Sequence, residues 1–420
     1  MATEPTSRLF RALSRLRTFE ALRYREFRLL WLGQLSTAMG TWMDQVARGW
    51  LIYQLTNSPA QLGLVRGVQA IPLLLLSPIA GSVADRYARK KQVIVVQLLD
   101  GLMYTAMAVL ILTGQIKPWH VYVTAFGMSI VQTFHHPARA AMIADAVPLG
   151  HLTNAIGLNS VVFNMSRSTG PAVAGVLIAM FGTGACYVLQ AAFFFLATFL
   201  TSILSIGQSP PTSTHGHAGK EAFGRSIVEG WRFSWSNESV RAGLLITVTA
   251  SLFIIPFTTL LPVFAKDILG VGATGQGFLL TGMGVGALSS AVLIATIGDR
   301  VPRGIVMLGG VILYGLSVVA FSVSPWFKLS IVLMIVVGLF HVTSHALVQT
   351  VIQTYSPAGF RGRTMAIFQQ GHFVLTIGAM LYGAMASLWG AQWTVSMMAT
   401  LGALSMVLIY FTVPSARHIR

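Results

Sequence analysis

Asp44 and Arg48 stand four residues apart in an otherwise apolar stretch. That spacing puts both side chains on one face of a helix and permits a direct ion pair. A charge held away from water costs several kcal/mol, so each must face protein or a wet cavity and find a partner. Two chemistries are open. Either Asp44 takes and releases a proton while Arg48 engages a ligand, or the two form a permanent structural pair. The same stretch carries Gln34, Thr37, Thr41 and Gln45 at intervals of three or four. A second stretch carries Gln132, His135, His136 and Arg139, and a third carries His341, His345, Gln349 and Gln353. Each set falls on one helical face. Asp100 is a second acid able to hold a proton. Arg167 reads either as an anion-binding residue or as a structural one, and Arg66 either pairs with Asp44 or reaches outward. His341 and His345 have the spacing of a helical metal pair, with His372 further along. No Cys or acidic residue lies near them in sequence, so hydrogen bonding, proton relay or plain packing is expected rather than a metal.

The elements that must position these residues are long apolar helices. A helix crosses a bilayer with about 20 mostly apolar residues. Twelve such stretches are expected, at Leu29–Tyr53, Leu62–Val83, Val93–Leu112, His120–Ile143, Ala155–Phe181 and Ala185–Ile206 in one set. The second set is Ala242–Phe264, Gly277–Ile297, Gly304–Val323, Leu329–Thr354, Met365–Leu388 and Trp393–Val413. The parts are an N-terminal segment over 1–28, bundles over 29–206 and 242–413, a central loop over 207–241 and a tail over 414–420. In the central loop, Phe223, Ile227, Val228, Trp231 and Phe233 alternate with Arg225, Glu229 and Arg232, the pattern of an interfacial amphipathic helix.

Composition supports this. The chain is 54% hydrophobic and 10% charged, with mean hydropathy +0.70, where soluble domains carry about 25% charged residues. The net charge of +16 does not mark a nucleic-acid binder, because the basic residues are distributed asymmetrically. Only Lys117, Lys266 and Lys328 fall on one side of the expected spans, and only Arg48, Arg66 and Arg167 well inside them. The remainder lie on the other side, which places both termini in the cytoplasm of a cell (inner or plasma) membrane. The single cysteine, Cys186, excludes an intrachain disulfide. No short apolar core with a small-residue cleavage site is found near the N-terminus, so the first span is expected to direct insertion.

The two sets repeat one another. Gly81-Ser82-Val83-Ala84-Asp85-Arg86-Tyr87-Ala88-Arg89-Lys90 follows the second span, and Ala295-Thr296-Ile297-Gly298-Asp299-Arg300-Val301-Pro302-Arg303-Gly304 follows the eighth. Gly170 and Gly175 in the fifth span match Gly378 and Gly383 in the eleventh at nearly the same offset. A duplicated six-helix unit follows.

The first of these loops, Gly81-x-x-x-Asp85-Arg86-x-x-Arg89-Lys90, resembles the signature loop of the major facilitator superfamily. Phe27-Arg28-Leu29-Leu30-Trp31, Pro137-Ala138-Arg139, Asn154-Ala155-Ile156-Gly157-Leu158-Asn159 and Arg361-Gly362-Arg363 resemble its branch of enterobactin exporters and secretion transporters. The resemblance implies an all-α membrane protein with twelve transmembrane helices in two pseudo-symmetric six-helix bundles. Spans 1, 4, 7 and 10 then line a central cavity, with Gln45, Arg48, Gln132, His136, Arg167, His341, His345, Gln349 and His372 on its wall. Asp44 and Asp100 would couple protons. Gly81, Asp85, Arg86, Arg89, Asp299 and Arg300 would form the gating loops, joined by Arg139 and Asp145. Asp100 is a further partner for the loop arginines. Gly170, Pro171 and Gly175 resemble an antiporter motif, with Ala174 where a glycine is expected.

The expected protein is a monomeric secondary transporter and not an enzyme. It would use protons to export a small amphipathic molecule such as a siderophore or drug-like compound. No cofactor, metal or nucleic acid takes part. No Gly-x-x-x-x-Gly-Lys-Ser/Thr loop occurs, so the drive is an ion gradient rather than ATP. An importer or facilitator of the same fold, or a transport-inactive sensor, is the alternative. Asp44→Asn is expected to abolish proton-driven flux and leave folding intact.

Overall fold

The structure is a computed structural model and describes residues 17–207, 220–297 and 303–412. Its first half holds α1 (Arg25–Thr56), α2 (Pro59–Arg86), α3 (Arg89–Leu112) and α4 (Pro118–Asp145). The continuous helix Leu152–Ser202 then breaks at Gly182, whose φ of 80° only glycine adopts readily, into α5 (152–181) and α6 (183–202). The connections are built from turn chemistry. Asn57 closes α1 in a left-handed conformation, while Pro59 and Pro118 open α2 and α4 at positions that lack a helical partner for an N–H anyway.

Helix α7 (Lys220–Ser236) leads into the second half. Its apolar face is partly docked: Phe233 stacks on Phe360 with centroids 4.6 Å apart, and Glu229 accepts from Arg363 at 2.8 Å. Val228, Trp231 and Trp235 stay exposed. The second half continues with α8 (Glu238–Phe253), α9 (Gly272–Ile297), α10 (Arg303–Val323), α11 (Phe327–Tyr355), α12 (Ala358–Gln369), α13 (Gly371–Trp389) and α14 (Ala391–Thr412). Asn237 caps α8, its side chain accepting from the Val240 N–H at 3.1 Å.

Two expected spans differ from continuous helices. The seventh, Ala242–Phe264, is regular only to Phe253 and then winds irregularly to Ile268, because Pro256 and Pro262 each remove an N–H from the ladder. The eleventh, Met365–Leu388, is divided between α12 and α13 at Gln370 and Gly371. Among the described residues, nine segments are long and apolar enough to cross a membrane. One of them, Leu149–Ser202, contains two expected spans. The first and fourth expected spans form helices α1 and α4 but fall outside the nine, because they carry the charged and amide side chains.

The helices pack in matching ways within each half: α2 on α4 and α3 on α6, then α9 on α11 and α10 on α14. Leu98, Leu102, Leu196, Phe199, Leu404 and Leu408 are exposed on α3, α6 and α14, the inverse of a soluble surface and suited to lipid. The halves meet through α2 on α13 and α5 on α9.

Both cross-half seams run on glycine. A Cβ on Gly175 would lie 2.7 Å from the Ala273 carbonyl oxygen and 3.1 Å from the Gly277 Cα. A Cβ on Gly383 would lie 2.8 Å from the Pro59 carbonyl oxygen and 3.0 Å from the Gly63 nitrogen. Gly63 and Gly277 stand at the same spacing as Asp85 and Asp299, and Gly175 and Gly383 match as noted above. The repeat is therefore closed reciprocally, each copy's α2-type glycine meeting the other's α5-type glycine.

Candidate functional site

A cavity lies between the halves as two lobes of about 590 and 480 Å³. The lobes share Trp42, Gln45, Phe163, Thr258 and Leu280. The larger is walled chiefly by α1, α2 and α4, with Gln34, Asp44, Arg66, Gln69, Gln132 and Arg139 among its polar groups. The smaller is walled by α5, α8, α10 and α11 and presents Arg167, Tyr314, His341 and His345. Residues from α2, α5, α9 and α10 therefore join the wall, besides those of the four expected spans, 1, 4, 7 and 10. Gln349 borders neither lobe, being one turn beyond His345 toward the end of α11. The side chains of His136 and His372 lie outside the described residues.

Asp44 and Arg48 form a two-pronged pair on α1. Arg48 donates from Nε to Oδ2 at 2.8 Å and from Nη2 to Oδ1 at 3.1 Å. The other guanidinium contacts tie α1 to α4: Nη1 donates to the Val121 carbonyl and the Thr124 hydroxyl, and Nη2 meets the Met128 sulfur. Arg48 is 3% exposed. Its donors are thus already engaged; both residues border the larger lobe, and Asp44, with 13% side-chain exposure against 4% for Arg48, is the more open of the two.

Asp100 sits on α3, buried, and accepts from Gln132 Nε2 through Oδ2. Its Oδ1 has no partner among the described residues. It does not border the cavity; Gln132 does, and stands between the two. Asp100 is also not a partner of Arg89, since it lies eleven residues, about 16 Å, up α3 from it, and Arg89 pairs with Asp145 instead.

Of the gating-loop residues, Arg89 pairs with Asp145 at 2.9 Å, joining the start of α3 to the end of α4. Arg139 is not in that pair. It is buried on the cavity wall and donates to the Leu30 carbonyl at 2.9 Å. Asp299 and Arg300, the side chains of Asp85 and Arg86, and the surroundings of Gly81 lie outside the described residues.

Gly170, Pro171 and Gly175 are contact positions. A Cβ on Gly170 would lie 2.8 Å from the Trp42 Cβ. Pro171 removes the N–H that would bond the Arg167 carbonyl and places its own carbonyl against Gly277. Arg167 lies over the Trp42 ring at 5.6 Å, and Trp42 meets Phe163 edge-on at 5.6 Å. His341 lies between Tyr314, at 5.3 Å, and His345, at 6.2 Å between ring centroids. No group of three or more His, Cys, Asp or Glu side chains suited to a metal occurs among the described residues.

The end of the molecule opposite the start of α1 is sealed. There Tyr53 donates to Asp267, Lys266 to Asn57 and Thr274 to the Gly175 carbonyl, all between halves. At the other end no hydrogen bond between halves occurs among the described residues. Tyr53→Phe is therefore expected to shift the conformational equilibrium by about 1–2 kcal/mol toward opening of the sealed end. Spin-label distances between the 113–117 and 324–326 turns measure this, and an unchanged distribution would count against the latch.

Sequence reasoning missed three features. Tyr314 enters the wall from a helix with no polar stripe, and Phe163 from between Asn159 and Arg167 on one face of α5. Tyr53 and Asp267 meet only through the tertiary fold. Gly63 and Gly277 were findable, because they share the spacing of the repeated loops.

Two glycine-seamed helical halves around a charged central cavity define a secondary transporter of the major facilitator type. A family model described as transmembrane secretion effector matches residues 16–418, and the chain belongs to that family. It is 24% identical over 388 residues to the staphyloferrin A transporter of Staphylococcus aureus, covering 89% of this chain and 92% of that one. It is 26% identical to the multidrug efflux pump Tap of Mycolicibacterium fortuitum, covering 87% and 90%. Among solved structures, a bacterial homolog of the human lysosomal transporter Spinster, inward-facing and unoccupied, gives a TM-score of 0.70. It is 14% identical and covers 94% of this chain and 98% of that one. The nucleoside transporter NupG also gives 0.70 at 14% identity, covering 92% and 99%. These structures share the fold.

Proposed function

We propose that this chain is a proton-coupled exporter that moves a small amphipathic molecule across the cell membrane by alternating access, with twelve spans and both termini in the cytoplasm. The observation that carries the reading is the Asp44–Arg48 pair on the cavity wall between two halves that, among the described residues, are joined by hydrogen bonds at one end. In the proposed orientation the sealed end is external and the cavity is open toward the cytoplasm. The two halves rock about the cavity. Proton binding at Asp44, with Asp100 behind Gln132 as a second acid, biases one state while substrate biases the other, which is what coupling requires. The names of the efflux and siderophore relatives support export of a siderophore-like or drug-like compound.

Purified protein in proteoliposomes under an imposed pH gradient tests this. A panel of dyes, antibiotics and apo-siderophores should contain at least one compound whose movement follows the gradient and stops when a protonophore collapses it. Movement indifferent to the gradient would point to a facilitator and sink the coupling.

A further inference from the structure

We infer that the cavity takes an organic anion with a flat apolar body, its charge met by Arg66 and Arg167. The inference rests on reading the cavity as the substrate path and goes beyond it by fixing the substrate's charge. The walls of the two lobes carry Arg48, Arg66, Arg139 and Arg167 against one carboxylate, Asp44. That carboxylate is already held by both prongs of Arg48.

Arg66 and Arg167 form no ion pair among the described residues. Among the described residues, Arg66 makes a 3.5 Å contact to Gln69 and feels the Asp44 carboxylate through space without pairing to it, and Arg167 lies over the Trp42 ring with Tyr314 nearby. The sequence supplies few alternatives. It has 12 acidic residues, and of those inside the helical bundles Asp100 is engaged by Gln132 and Asp267 by Tyr53. Asp85 belongs to the opposite end of α2, nineteen residues or about 28 Å from Arg66 along that helix.

An unpaired guanidinium at membrane depth is costly unless it faces water or an anion. With one of them bordering each of two adjoining lobes, the cavity has a hydrated, positively charged wall whose natural complement is a carboxylate or phosphodiester, which a guanidinium grips through paired donors. The shared wall adds Trp42 and Phe163, set edge-on at 5.6 Å, a surface for a planar or aliphatic body. The lobes are of a size for a small molecule rather than a peptide chain.

Equilibrium binding to purified protein, with no gradient present, tests the charge separately from coupling. The probes are naphthalene-2-carboxylate, its neutral carboxamide and the corresponding methylammonium, titrated by calorimetry. The carboxylate is expected to bind about 10-fold or more tightly than either analogue. R66Q and R167Q should each erase most of that preference, R66K and R167K should keep much of it, and melting curves should confirm that the variants are folded. Should a Gln variant not fold, the three-probe comparison on the unaltered protein still decides. Equal affinity for the three probes, or no saturable carboxylate binding at millimolar concentration, overturns the inference. It would leave gradient-driven transport of a neutral or cationic compound standing. Dihexanoylphosphatidylglycerol is the fourth probe: tighter binding than the carboxylate assigns the anion site to a lipid headgroup, weaker binding to a soluble organic acid.

Discussion

Asp44→Asn is expected to abolish gradient-driven flux and also to destabilise the fold, by about 3–5 kcal/mol. The flux half follows from the proposed proton role, since an amide cannot carry the proton. The stability half departs from the sequence-based expectation that folding survives. The reason is geometric: Arg48 is 3% exposed and takes both carboxylate oxygens, at 2.8 and 3.1 Å. With Asn at 44, that guanidinium keeps one neutral amide oxygen in place of two charged ones, besides the Val121 carbonyl, the Thr124 hydroxyl and a thioether, and its charge is left uncompensated. Removing one member of a buried pair leaves an uncompensated charge, whereas removing both costs far less. The double variant D44N/R48Q should therefore recover most of the lost stability and none of the flux. Thermal unfolding in detergent, run as a double-mutant cycle, measures the first; proteoliposome flux measures the second. A D44N protein as stable as the original would show that Arg48 is solvated by the cavity rather than by its neighbour.

Gly277→Val should stop turnover, lowering flux at least about 10-fold, while leaving ligand binding in place. The α5–α9 seam leaves no room for a side chain: Gly277 faces the Pro171 carbonyl, and the Gly175 Cα stands 3.1 Å from a Cβ built at Gly277. The neighbours in the way are backbone atoms, so nothing can rotate aside, and forced overpacking costs about 1–3 kcal/mol or more. In the proposed alternating-access cycle the seam parts when this end opens, so the cost falls on the sealed state and not on the opposite one. The variant should therefore populate the state open at the Tyr53–Asp267 end, and a cysteine placed beside Gly63 should become reactive to impermeant maleimide. Gly383→Val should do the same across α2 and α13, where the Pro59 carbonyl lies 2.8 Å from its Cβ. Unchanged labelling with normal flux in both would mean that the halves do not separate along these seams.

The helical class, the apolar stretches and the duplicated unit were legible in the residue order. They depend on local composition and on spacing along one chain: about 20 apolar residues make a crossing helix wherever it lies, and repeated motifs at a constant offset report duplication. The Asp44–Arg48 pair was legible for the same reason, since partners four apart on one helix need no tertiary information. The irregular path after Phe253 had its signal in Pro256 and Pro262, but hydropathy alone reads through prolines. Which arginines find acids was not legible. Arg89 meets Asp145 across 56 positions of chain, Arg139 turns to the Leu30 carbonyl instead, and Arg66 and Arg167 are left facing the cavity. Such pairings depend on where helices cross and how each is rotated, and a rotation of one residue, about 100° on a helix, moves a side chain from cavity to lipid. The residue order by itself determined that this is a duplicated bundle of membrane helices with charged faces. Only the tertiary packing, within each half and between them, decided which charges are cancelled, which stay open to a ligand and which end is shut, because those outcomes rest on contacts between distant segments, from 56 positions apart for Arg89 and Asp145 to 214 for Tyr53 and Asp267.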